Sequence, residues 1–218
     1  MLHFNTVNKI LKDTLEVLME SKELDSFRLV GGTALSLQLG HRISVDIDLF
    51  SDAEYGSLDF VRIEKFLQSK FQYVDFFINL PTALGKSYLV GENKDKSVKL
   101  DLFYTDKYIY PQIEEKCIRL ASMEEIAAMK IDVVQRGGRK KDFWDLHELL
   151  EHFSISQLIE FHQRRYPYSH DKDLIVQNLI NFEFADEDFS PVCLRGKYWE
   201  FIKDDFIEES QRIKNTKS

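Results

Sequence analysis

Two aspartates, Asp46 and Asp48, stand two apart in Val45-Asp46-Ile47-Asp48-Leu49, and a third, Asp101, sits in Lys99-Leu100-Asp101-Leu102-Phe103. If both segments are strands, side chains two apart point the same way, about 6.5 to 7 Å apart along the strand. Asp101 would join them from a strand about 4.8 Å away if the two pair. Three crowded carboxylates repel one another unless a cation neutralises them. An all-oxygen set with an open side suits magnesium, which is held by one or two carboxylates together with substrate phosphates. Two such ions about 4 Å apart would align an in-line phosphoryl displacement. One would orient a triphosphate and the other lower the pKa of an acceptor hydroxyl, with Asp101 as general base or metal ligand.

Gly31-Gly32-Thr33 precedes this cluster. Glycines let backbone approach a phosphate, and the amides opening the next helix point their positive ends at it. The Thr33 hydroxyl is available to cap that helix or to donate to phosphate. Arg42, Ser44, Asp46 and Asp48 alternate with Ile43, Val45, Ile47 and Leu49, which predicts a strand with one polar face and makes Arg42 and Ser44 further candidates for nucleotide contact. Alone, an Asp-x-Asp equally describes the solvent face of a half-buried strand. Strand, glycine pair, short helix and then alternate aspartates form a more specific ordered pattern.

The elements that must hold these residues are legible in outline. Leu11, Leu15 and Leu18 predict an amphipathic helix over 5–21. A short strand over 27–30 runs into the glycines, and a helix over 33–39 closes at Gly40. A second helix is expected over 60–70, with strands over 72–78, 87–90 and 98–104. No strand is convincing after the Pro111 region. Ser122 with Glu125 reads as a capping box opening a helix to about 136, which Gly137 and Gly138 stop. Further helices are expected from about 142, over 156–165, 171–182 and 197–213. The fold class is therefore α/β (α+β): a small mixed sheet flanked by helices over 1–110, followed by a helical domain over 111–218 that closes over it.

The 218-residue chain is 44% hydrophobic and 13% aromatic, enough for an ordinary core. Its net charge of -8 argues against broad electrostatic capture of nucleic acid, so an RNA partner would need a local basic patch such as Arg136, Arg139, Lys140 and Lys141. Cys117 and Cys193 have no CxxC spacing, and no signal peptide or long apolar run is present. A cytoplasmic protein without membrane contact is expected. The histidines lack metal-ligand spacing and read as ordinary residues.

The stretch Leu29 to Phe50, LVGGTALSLQLGHRISVDIDLF, resembles the nucleotidyltransferase superfamily, DNA polymerase beta-like. More narrowly, the chain looks like the AbiEii/AbiGii type of nucleotidyltransferase toxin, on HRxSxDIDLF at 41–50, KLDLF at 99–103, and the later Lys130, Arg136, Lys141-Asp142 and Asp145-Leu146. The resemblance implies that Gly31, Gly32, Thr33, Asp46 and Asp48 bind nucleotide and metal, and that Lys130 and Asp145 are its later lysine and aspartate. Lys130 lies beside the apolar stripe of its helix, where its head needs a partner, and the triphosphate is the partner so implied. Asp142 and Asp145 are equally readable as a helix N-cap and a first-turn acid.

The combined expectation is transfer of a nucleoside monophosphate from a nucleoside triphosphate to an acceptor hydroxyl. Two magnesium ions would bind with the triphosphate, manganese being an alternative. The resemblance further implies a bacterial toxin of a toxin–antitoxin or abortive-infection system, an RNA acceptor such as transfer RNA, and a cognate antitoxin. The competing expectations are transfer to a small molecule or protein, and an inactive nucleotide- or antitoxin-binding module.

Overall fold

A computed structural model describes residues 1–76 and 84–215. They divide into two compact units, the first comprising Met1–Gly40 and Ser44–Ser122, the second His41–Ile43 and Met123–Ser218. In the first, α1 (Lys9–Met19) begins where the Asn8 side chain accepts a hydrogen bond from Leu11 N at 2.8 Å. It turns Leu11, Leu15 and Leu18, all fully buried, onto the sheet. Then follow β1 (Arg28–Leu29), α2 (Gly31–Leu39), β2 (Asp46–Ser51), α3 (Phe60–Lys70), β3 (Tyr73–Phe76), β4 (Gly85–Asn93), β5 (Lys96–Tyr104), β6 (Ile113–Glu115) and β7 (Ile118–Leu120).

These strands form a seven-stranded mixed sheet in the order β3-β4-β5-β2-β1-β7-β6. The β2/β5 and β1/β7 pairs are parallel and the others antiparallel. Along β2, Ile47 and Leu49 are fully buried while Asp46 and Asp48 are only partly so, as period-two alternation requires. On β5, Leu100 and Leu102 are likewise buried on the core side.

Two details depart from the sequence-based expectation, and a third lies partly outside the described residues. β2 begins at Asp46 rather than Arg42, and Val45, which the alternation would bury, is 60% exposed. The polar–apolar pattern simply runs on through residues that no neighbouring strand pairs into the sheet. After Pro111 the structure has β6 and β7, each three residues long and therefore too short to show a period. The expected strand over 72–78 is β3 as far as Phe76, and its end lies outside the described residues.

The second unit contains α4 (Met123–Gln135), α5 (Lys140–Leu149), α6 (Ile155–Arg165), α7 (Lys172–Asn178), α8 (Glu183–Glu187) and α9 (Trp199–Asn215). Phe143 of α5 is its aromatic centre, edge-on to Phe182, Trp199 and Phe206 with centroids 5.2 to 5.9 Å away. The segment His41–Ile43 is stitched into this unit by backbone bonds from Ile43 N to Val192 O at 2.9 Å and from Leu194 N to His41 O at 2.8 Å.

Candidate active site

The carboxylate face is built by β2 and β5. Their parallel register sets Asp48 directly beside Asp101 and Asp46 beside Lys99. On the other side of β5, the antiparallel β4 places Ser87, almost fully buried, opposite Asp101. Lys99 Nζ lies 2.5 Å from Asp101 Oδ2. The other oxygen, Asp101 Oδ1, is buried and has no hydrogen-bond partner among the described residues. An unsatisfied buried carboxylate oxygen is costly, and it marks a place for a cation or a donor.

The glycine turn presses against the same face. Val30 N donates to Asp48 O at 2.9 Å, which fastens the end of β1 beside β2. Gly31 follows with φ +67°, and a Cβ there would sit 3.0 Å from Asp48 Oδ2. Only glycine combines that left-handed backbone with so close an approach. Thr33 is buried, and its hydroxyl lies 2.5 Å from Asp46 O and 2.8 Å from Ser44 Oγ. A hydroxyl has one proton, so Thr33 donates to the Asp46 carbonyl while Ser44 donates to Thr33. Thr33 and Ser44 thus hold the start of the aspartate strand against α2. Gly40, in the left-handed region at φ +72°, ends that helix.

Among the described residues no three His, Cys, Asp or Glu side chains converge as a ready-made metal cage. The all-oxygen set of Asp46, Asp48 and Asp101, with one orphaned oxygen, nevertheless fits a hard divalent ion that takes further oxygens from a bound phosphate.

Within the second unit, Arg42, Lys130 and Asp145 meet in a buried ionic network. Asp145 is fully buried and receives Arg42 Nε at 2.6 Å, Arg42 Nη2 at 2.8 Å, His41 Nε2 at 2.8 Å and Lys130 Nζ at 2.7 Å. Lys130 Nζ also donates to Asp142 Oδ1 at 2.6 Å. Asp142 is the third residue of α5, not its N-cap, and its carboxylate accepts from the Arg139 backbone N at 3.1 Å. Burial pushes the Asp145 carboxyl up, but Arg42 and Lys130 overcome it and hold the group well below the usual carboxylate range. Burial likewise lowers the Lys130 ammonium, and Asp145 and Asp142 more than offset this, so its pKa is raised. Arg42 therefore does not share a strand face with Asp46: its bidentate partner is Asp145.

A sequence profile described as nucleotidyl transferase AbiEii toxin, type IV TA system, matches residues 13–214. The chain belongs to that family. As an AbiEii-family protein it is a nucleotidyltransferase of the toxin type, in a class of enzymes that use divalent metal ions. An uncharacterised protein of Aquifex aeolicus is 29% identical over 216 residues, covering 92% of this chain and 94% of its own. A candidate nucleotidyltransferase of H. pylori superposes with a TM-score of 0.58 at 19% identity, covering 95% of this chain and 93% of the other. MenT4, a nucleotidyltransferase toxin of Mycobacterium tuberculosis, gives a TM-score of 0.58 at 14% identity, covering 92% and 82%. At these identities the likeness is one of fold.

Sequence reasoning missed Lys99, Ser87 and His41. Lys99 carried a usable signal, since it stands two residues before Asp101 and so shares its strand face. Ser87 is brought in only by the β4/β5 register. His41, read as ordinary, is fully buried against an aspartate 104 positions away.

Proposed function

We propose that this chain transfers a nucleoside monophosphate from a nucleoside triphosphate to a hydroxyl of RNA, the acceptor end of transfer RNA being the first acceptor to test. The observation that carries the reading is the register that sets Asp48 beside Asp101 while Gly31 leaves room against Asp48 for a close-packed turn. Asp46, Asp48 and Asp101 would hold magnesium, or manganese in its place, with two ions when the triphosphate is present. The metal, when bound, would neutralise phosphate charge and lower the pKa of the acceptor hydroxyl. Backbone amides of Gly31 and Gly32 at the start of α2 would bind phosphate oxygens, and Asp101 would hold metal or take the acceptor proton. Thr33 and Ser44 would position the aspartate strand, and Arg42, Lys130 and Asp145 would form a buried ionic positioning group within the second unit. The reading also carries a cognate antitoxin and a cytoplasmic location. Among the described residues no helix is long and apolar enough to cross a membrane.

The test is incubation of the full chain with each labelled triphosphate, magnesium and total RNA. Label appearing in transfer RNA supports the reading, and label appearing on protein or a small molecule reassigns the acceptor. Tight triphosphate binding with no labelled product in any fraction would make the chain a binding module.

A further inference from the structure

We infer that Lys99 is a built-in counterion of the carboxylate face, occupying Asp101 until a divalent ion displaces it. The inference rests on the reading of Asp46, Asp48 and Asp101 as a metal platform. Three observations carry it. Lys99 Nζ is 2.5 Å from Asp101 Oδ2, and the β2/β5 register places Lys99 beside Asp46. Its side chain is 41% exposed while that of Asp101 is 16% exposed, so the ammonium has a solvent route away from a carboxylate that stays in place. The remaining oxygen, Asp101 Oδ1, has no partner among the described residues, so the lysine satisfies only half of the group.

Adjacent carboxylates on neighbouring strands repel, and a lysine on the same face lowers that repulsion when no metal is bound. The same ammonium opposes a divalent cation arriving at Asp101, because two positive charges would share one carboxylate. Its long, partly exposed stem lets it swing clear without moving the backbone. With Lys99 in place, metal alone binds more weakly than the carboxylates by themselves would allow.

The experiment measures manganese binding to the full-length chain without nucleotide, by titration against free-ion signal, for the wild type, Lys99→Met, Lys99→Arg and Asp48→Asn. Lys99→Met should bind manganese about three- to tenfold more tightly than the wild type, the scale expected for removing a partly exposed like charge. Lys99→Arg, which keeps the charge, should stay near the wild type. Without metal, Lys99→Met should melt at a lower temperature and regain more on adding manganese than the wild type does. Equal or weaker manganese affinity in Lys99→Met, where wild-type binding is lost in Asp48→Asn, overturns the role of Lys99 and leaves the platform standing. Binding that is absent from both wild type and Lys99→Met, or indifferent to Asp48→Asn, overturns the platform and the counterion role together.

Discussion

The two acidic clusters of this protein use the same residue type in opposite ways. Asp46, Asp48 and Asp101 lie on a partly exposed sheet face where one oxygen of Asp101 is left without a partner. Asp142 and Asp145 are buried among Lys130, Arg42 and Arg139, with both oxygens of Asp145 occupied. In the first cluster Lys99 answers Asp101 Oδ2, and Asp101 Oδ1 is left unmet among the described residues. The second is neutralised by the chain's own cations and serves to hold α4, α5 and the His41–Ile43 segment together. The contrast is between carboxylates of which one oxygen stays unsatisfied on a partly exposed face and carboxylates enclosed by the chain's own cations as a structural clamp.

The contrast predicts its own largest breakage. Asp48→Asn keeps side-chain shape and should lower transfer by about a thousandfold or more, since it removes charge that would stabilise the transferring phosphoryl group. Its melting temperature should hold or rise, because repulsion on the sheet face is relieved. Single-turnover transfer and thermal unfolding on the same sample check both halves, and near-normal turnover would remove Asp48 from the platform.

Lys130→Met should show the reverse profile. Lys130 is only 6% exposed and bonded to two buried aspartates. Its loss leaves a buried network one positive charge short, with Asp145 still on Arg42 and Asp142 on Arg139, and should cost about 3 kcal/mol of stability. Denaturant unfolding measures this. A fully stable variant with weakened triphosphate binding would instead make Lys130 a direct phosphate contact.

Gly31→Ala tests the turn joining α2 to the platform. Left-handed backbone at a non-glycine residue costs about 1 to 2 kcal/mol, and the new Cβ would crowd Asp48 Oδ2. A modest stability loss with a disproportionate fall in metal or triphosphate affinity is expected. If stability falls while affinity is unchanged, the turn serves the fold alone.

The smallest effect is that of pH. The Asp142 and Asp145 pKa values are depressed, so their stabilisation is complete above the ordinary carboxylate range and is lost as pH falls through the depressed values. The raised Lys130 pKa leaves its contribution complete below its ordinary value and lost only at higher, strongly alkaline pH. The clamp should therefore be constant from about pH 5 to pH 9 and weaken only below about pH 4. Unfolding curves across that range check the window, and a step centred near neutrality would point to a histidine instead.

Much of this molecule could be read from local pattern. The leucine spacing of α1, the Gly40 stop of α2 and the shared face of Asp46 and Asp48 follow from helical and strand periods that act over a few residues. The glycine pair before alternate aspartates was enough to point to metal-assisted phosphoryl chemistry. Long-range pairing was not legible, because nothing in a strand's own residues specifies which neighbour it takes or in what register. The β2/β5 register is what brings Asp101 to Asp48 and Lys99 to Asp46. The same limit applies to Arg42, whose place in the alternation suggested the aspartate face while a buried carboxylate 103 positions away claims it. An arginine goes where its charge is best answered, and that partner exists only once the chain has folded.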